Sequence, residues 1–401
     1  MRLSPELQFI SNTLTASLKD DHSLIEVSAQ AVLDHINWNE CIQLVIHHGL
    51  GGLLFYWLRK LRFKSSVPHD VYRSLRGIYE SYSNIEEGHR EIIKKILTGF
   101  HESGIEVILL KGAQLGHIDY PHFSLRPMED IDLLVERSNQ SRIIKIMLEM
   151  GFNLYKTGDS CNKFFIRRIQ KRRTKKIHNP IFIEIHSNLE TSIRLNRALS
   201  VDMDEFWSGT QMESIWNGTQ MGSIAGFPFF QLCPTYNLMY LCSHFGEHHF
   251  SRLIWAYDIA LLIHRHGEEI LWGKLEDLCG RMKIRSPLYY SLSLCQELFQ
   301  VPIPEKVLKN LSPFWWRRKI GHFLIRRNLL SPQKSQMSRF TQFLIRALCI
   351  DSWMEAMLWF LFPTREWMKK QYSLQGTREI YPYYLLHPIL YLINTIRAPL
   401  R

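Results

Sequence analysis

Two short runs of nearly pure aliphatic character, Ile105–Leu110 (IEVILL) and Ile131–Val135 (IDLLV), interrupt a chain that otherwise reads as helix. Runs this short, bounded by turn residues, are too brief for buried helices and suit strands covered on both faces. A purely helical bundle is therefore excluded. Between them lie a short helical segment, Ala113–Ile118, and the turn-rich Asp119–Met128. A helix is expected over Ser138–Met150, capped by Ser138 and stopped by Gly151. Phe164–Arg168 and Ile181–His186 read as two more strands, paired as a hairpin around His178-Asn179-Pro180. Residues 105–190 thus form a small mixed α/β unit.

On either side the apolar residues recur at three- and four-residue spacing. Before the strands they do so in Ile25–His35, in Cys41–Leu61 (broken by Gly49, Gly51 and Gly52) and in His69–Ser103, closed by Gly104. After Pro234 they do so in Tyr236–His249, Leu253–His266 and Ile270–Met282, with further helices beyond Pro313. The expected fold class is α+β. A mixed-sheet core at 105–232 is flanked by an N-terminal helical region, 1–104, and a C-terminal one, 233–401. Trp315, Trp316, Trp353, Trp359 and Trp367 are expected to fill a helical core.

Composition removes several classes. With 46% hydrophobic and 22% charged residues, the 401-residue chain is too apolar to be disordered. Its seven cysteines form no C-x-x-C pair, against a disulfide framework or a thiolate zinc site. No apolar run approaches the roughly 20 residues of a membrane span, and the N-terminus has no signal-peptide pattern. The expectation is a cytoplasmic protein without stable membrane insertion. The formal net charge of +11 is unevenly placed: from Ser312 onward, 14 Lys and Arg face only 4 Asp and Glu. Seven of the ten residues in Arg167–Lys176 are also basic. A solvated face explains such runs, and so does a polyanionic partner: nucleic acid, acidic membrane or nucleotide phosphate.

The chemistry concentrates in Glu129-Asp130-Ile131-Asp132. On a strand, Asp130 and Asp132 project from the same face, where two carboxylates repel unless a cation lies between them. Oxygen ligands at this spacing suit Mg²⁺; solvated acids on an edge strand are the alternative. The strand entering Lys111-Gly112 offers amide groups and a helix N-terminus to a phosphate, and Gly112 lets it come close. Glu184 lies between Ile183 and Ile185, sharing its face with Phe182 and His186. A shared metal satisfies it, as does an ion pair with the basic run. His186 reads as a group orienting a carboxylate or as a core histidine. Arg126 reads as a phosphate contact or a structural partner of Glu129 or Asp119. His244, His248 and His249 lack the H-E-x-x-H spacing, which favours a packing or acceptor-pocket role over a metal.

These residues carry a resemblance. The string LLKGAQLGHIDYPHFSLRPMEDIDLLVERSNQSRIIKIMLEMGF, residues 109–152, resembles the uncharacterised bacterial nucleotidyltransferases of the DNA polymerase β-type superfamily. IFIEIH at 181–186 is similar to the family's third-carboxylate strand, His244, His248, Arg252 and Asp258 match its later helical segment, and residues 358–372 resemble its C-terminal part. Three positions depart from the pattern: Lys111-Gly112-Ala113 where Gly-Ser is usual, Glu129 where many relatives have Gly, and Glu184 where Asp is frequent. The resemblance implies a nucleoside triphosphate donor and a two-Mg²⁺ site on Asp130, Asp132 and Glu184. It further implies nucleotide contacts from Lys111, Gly112, Arg126 and His186. The acceptor, whether peptide, protein, small molecule or RNA, is not implied. An inert nucleotide-binding relative, and a basic protein for nucleic acid or membrane surfaces, are the rival readings.

Overall fold

The computed structural model describes residues 3–19, 33–60, 67–156, 161–166, 180–187, 221–224, 227–330, 339–363, 365–374, 376 and 379–397. The basic run Arg167–Lys176, the turn residues His178 and Asn179, and most of the expected helix Ile25–His35 lie outside them. The chain divides into two compact units. One comprises Met1–Leu189, Val201–Leu238 and Leu261–Ile270; the other comprises Glu190–Ser200, Met239–Ala260 and Leu271–Arg401.

The first unit opens with helices α1 (Pro5–Lys19), α2 (Trp38–His47), α3 (Gly51–Lys60) and the long α4 (His69–Glu102). Asn37 caps α2, its side chain accepting the Glu40 N–H. The break between α2 and α3 belongs to Gly49, at φ +73°. Gly51 and Gly52, which the spacing suggests as breaks too, lie instead inside α3. A Cβ on Gly51 would stand 2.7 Å from Ile78 Cγ2, so the bare backbone is what lets α3 settle against α4. Gly104, at φ +64°, ends α4 as expected, and the chain folds back with Ile105 N–H donating to the Phe100 carbonyl at 2.9 Å.

Then come β1 (Val107–Leu109), α5 (Lys111–Ile118), β2 (Asp130–Val135), α6 (Gln140–Glu149), β3 (Asn153–Lys156), β4 (Cys161–Ile166), β5 (Ile181–His186), β6 (Met221–Ile224) and β7 (Phe227–Gln231). The expected cap Ser138 falls within a 3-10 turn, Arg137–Asn139. Asn139 takes the cap position of α6 without a side-chain hydrogen bond. All seven strands join one mixed sheet in the order β3-β4-β5-β2-β1-β7-β6, with β2/β5 and β1/β7 parallel. One face is greasy. Ile131, Leu133, Val135, Ile183 and Ile185 are buried there with Ile93, Ile96 and Phe100 of α4 and Ile143 and Met147 of α6. Truncating any one of these to alanine costs about 2–5 kcal/mol. The fold is α+β, as the sequence implies, with α4 and α6 packed on the sheet.

The remaining helices are α7 (Pro234–Glu247), α8 (Leu253–His266), α9 (Trp272–Arg281), α10 (Arg285–Phe299), α11 (Glu305–Leu311), α12 (Trp315–Leu329), α13 (Arg339–Cys349), α14 (Trp353–Leu361), α15 (Arg365–Tyr372) and α16 (Ile380–Arg397). Arg317 of α12 is buried and donates to the carbonyls of Leu348, Ile350 and Asp351, tying α12 to the end of α13. One expectation fails here. Trp315 and Trp316 stand in solvent because the buried stripe of α12 is Arg317, Gly321, Ile325 and Leu329 and both lie off it; Trp353, at the start of α14, is exposed as well. The Trp359 and Trp367 side chains lie outside the described residues.

Candidate active site

The face of the sheet opposite the core is built by strand alternation and register. The parallel β2/β5 ladder sets Asp130 beside Phe182, Asp132 beside Glu184 and Leu134 beside His186. Neighbouring side chains at these even positions point away from the aliphatic layer. Antiparallel β4 adds Lys163, directly opposite Glu184. Past the end of β1, the Leu110 N–H donates to the Asp132 carbonyl at 3.1 Å, bringing Lys111 to the same place. Lys111 holds a left-handed φ of +49° between strand and helix. That conformation costs a non-glycine residue on the order of 1 kcal/mol, and such strain gathers at functional sites.

The side chains meet there. Lys111 Nζ donates to Asp132 Oδ1 at 2.8 Å, and His186 Nε2 reaches the same oxygen at 2.9 Å. His186 Nε2 lies 3.8 Å from Glu184 Oε2, and the Lys163 ammonium donates to Glu184 Oε1. The ligand atoms of Asp132, Glu184 and His186 all fall within 4.8 Å of one another. Asp130 sits one register step away on the same face, outside that trio.

Electrostatics separates the two aspartates. Asp132 is only 4% exposed. Burial alone would raise its pKa, but the Lys111 charge and the His186 hydrogen bond overcome this and hold it well below the usual carboxylate range. Being ionised, Asp132 can only accept, so His186 Nε2 must carry the proton. Asp130 is pushed the other way, up to about 7, first by burial and then by the neighbouring Asp132 charge. The site therefore has two lysines already seated on Asp132 and Glu184, and beside them Asp130, whose charge is disfavoured by burial and by Asp132. That set of carboxylate oxygens fits a divalent ion. The residues that would hold it are Asp132, Glu184 and Asp130, with His186 in contact with two of the three.

The other expected contacts fall nearby. A Cβ on Gly112 would stand 2.6 Å from Met128 Cγ and 3.3 Å from Arg126 Nη1, so the loop leading into β2 crosses directly over Gly112. Arg126 is buried and donates from Nη1 to the Pro127 carbonyl at 2.6 Å. Two residues of the site are absent from the sequence reading. Lys163 could be found only through the β4/β5 register. Glu86 of α4 accepts the Met128 N–H at 3.0 Å and the His89 ring N–H at 2.9 Å, anchoring the loop before β2 from a fully buried position. Its signal was an acid and a histidine standing within the apolar stripe of α4. In the other unit, His244, Glu247 and His248 also bring ligand atoms within 4.8 Å, and both imidazoles pack on the Trp255 ring.

A model of the uncharacterised nucleotidyltransferase family matches residues 34–300, which span the sheet, every residue of this site and helices α7–α10. The chain belongs to that family. No curated protein and no solved structure matches it. Membership supports a nucleotidyl-transfer role with a nucleoside triphosphate as donor, and the acidic cluster on β2 and β5 supplies candidate metal ligands. Among the described residues, no single helix is long and apolar enough to cross a membrane.

Proposed function

We propose that this family member transfers a nucleotidyl group from a Mg²⁺-bound nucleoside triphosphate to an acceptor hydroxyl, with chemistry at the β2/β5 face. The observation that carries the reading is the in-register pairing of Asp132 with Glu184, each already bound to a positive charge. When bound, Mg²⁺ supplies neutralisation of the triphosphate and Lewis-acid activation of the reacting oxygens. Asp130, Asp132 and Glu184 hold the ions in this proposal. His186 fixes the Asp132 carboxylate through its Nε2–H donor. Lys111, released from Asp132, turns to the β- and γ-phosphates together with the Gly112 amide, and Arg126 adds a further positive charge beside them. Glu184 takes the acceptor's proton as the new P–O bond forms at the α-phosphorus and the bond to pyrophosphate breaks. Lys163 holds Glu184 in place through their ion pair.

The deciding experiment incubates the protein and Mg²⁺ with each α-labelled nucleoside triphosphate and host extract, then identifies what carries the label. A labelled product that requires Asp132 supports the reading. Nucleotide binding without label transfer would favour an inert nucleotide-binding relative, and absence of both would overturn the proposal.

A further inference from the structure

The C-terminal helices leave many large apolar side chains in solvent. Large apolar side chains lie bare on three of them: Trp315, Ile320 and Phe323 on α12; Trp353, Met357 and Leu358 on α14; Tyr381, Leu385 and Ile389 on α16. Trp353 is 60% exposed and Leu385 82%. On α16 the spacing is i, i+4, i+8, so the three residues form one stripe, while Ile380 and His387 face inward and are buried. The patches connect. Phe314, Trp316 and Trp353 line one open cleft between the starts of α12 and α14. At the far end of α14, the Phe362 and Tyr384 rings lie 6.0 Å apart, and Tyr384 Oη donates to the Pro363 carbonyl at 2.8 Å. An exposed apolar area of this extent marks an interaction surface.

Charge selects the partner. The segment from Ser312 onward holds 14 Lys and Arg against 4 Asp and Glu. Arg318, Lys319 and Arg327 stand exposed on α12 among the bare aromatic residues. A second copy of the chain would bring the same positive excess and be repelled. A nucleic acid would satisfy the charge but leave Met357, Leu385 and Ile389 in water. An anionic bilayer satisfies both, because its headgroups attract Lys and Arg while its acyl boundary accepts aliphatic side chains and Trp and Tyr at the interface. Ile380–Ile396 contains no Asp, Glu, Lys or Arg, so on this helix the contact with the acyl boundary comes from apolar and aromatic side chains, while the basic residues of α12 supply the attraction to the headgroups.

We propose that the exposed face of α12, α14 and α16 adsorbs onto membranes containing anionic lipid, lying in the interfacial plane without crossing the bilayer. This does not rest on the nucleotidyl-transfer reading.

Flotation of the full-length protein tests it. The probes are vesicles of phosphatidylcholine alone and of phosphatidylcholine with phosphatidylglycerol at roughly three to one. Recruitment is expected on the mixed vesicles, with a blue shift of tryptophan emission, and is expected to weaken as salt shortens the Debye length. Replacing Trp353, Leu385 and Ile389 by Ser should lower vesicle partition about tenfold or more, with the far-ultraviolet circular dichroism unchanged. If that variant misfolds, Trp315→Ser with Phe323→Ser on α12 gives the same test on a separate helix. Arg318→Gln, Lys319→Gln and Arg327→Gln together should abolish the preference for the anionic vesicles. Absence of recruitment, full recruitment of the correctly folded Ser variants, or self-association or RNA binding in place of vesicle binding would each overturn the proposal.

Discussion

The sheet unit buries charge, whereas the C-terminal helices expose grease. Each arrangement opposes ordinary folding preference, in which carboxylates seek water and Leu or Trp avoid it. In the sheet unit the contradiction is answered internally: Lys111 and His186 meet Asp132, and Lys163 meets Glu184. In the helical region no described side chain covers Leu385 or Trp353 to a comparable degree. The lesson is that an internally answered violation marks a site that binds something small enough to replace the answering group. An unanswered one marks a surface that waits for something large.

A buried acid can also be merely structural, and the sheet unit contains such a control. Asp119 is buried and accepts from His266 Nε2 at 2.8 Å, while His266 Nδ1 donates to Glu269 at 2.8 Å. With both ring nitrogens donating, the imidazole is held as a cation. The Asp119 hydrogen bond, working against burial and helped by Glu269, raises its pKa to about 9. The two carboxylates sit on opposite nitrogens of the ring, so their oxygens do not converge on one point as those of a ligand set would.

The largest expected effect separates the two kinds of acid. Asp132→Asn should reduce label transfer by a factor on the order of a thousand. It should also lower metal-free stability by roughly 3 kcal/mol, because Lys111 and His186 lose a buried ionic partner. Thermal melting in EDTA and the labelling assay measure the two effects. Unimpaired transfer would break the comparison by making Asp132 structural.

Asp130→Asn should behave differently from Asp132→Asn. Its carboxylate has burial and a neighbouring charge against it, so removing the charge should leave the melting temperature in EDTA unchanged or raised. The rise in melting temperature on adding Mg²⁺ and nucleoside triphosphate should nonetheless disappear. Loss of stability in EDTA would mean that Asp130 is held by partners as Asp132 is.

His266→Gln should leave transfer intact and cost stability in a pH-dependent way. The folded pKa lies above the ordinary 6.5, so the stabilisation is fully present below about 6.5. It weakens as pH rises through about 9. The melting-temperature gap between wild type and variant should therefore be widest near neutral or mildly acid pH and shrink in alkaline buffer. A gap that grows with pH would refute the cationic assignment.

The smallest effect belongs to the exposed surface. Leu385→Ser should change stability by no more than about 0.5 kcal/mol, since the side chain is in water before and after folding. A loss of several kcal/mol in denaturant melts would show that Leu385 is covered in solution and would erase the contrast between the two regions.

Much of the sheet was legible from local pattern. Ile181–His186 forms the strand its spacing implies, β2 begins one residue before the expected start, and Gly104 ends α4 where a glycine stop was expected. β3, β6 and β7 were not legible. Their segments are short, and β3 is exposed along its whole length, so no apolar period announces it. The tryptophans misled for the opposite reason: large aromatic residues at helical spacing look like core wherever a covering layer is assumed.

By itself, the sequence determined the α+β class and which residues share a strand face. Asp130 with Asp132, and Glu184 with His186, follow from alternation within six residues. Alternation is local physics, set by the backbone of a single strand. Only the tertiary structure decided that β5 lies beside β2 in a register pairing Asp132 with Glu184, and that β4 delivers Lys163 to the same point. It alone decided that α12, α14 and α16 keep an apolar face in water. Register and cover depend on contacts between segments far apart in the chain, and no single segment's pattern encodes its neighbour.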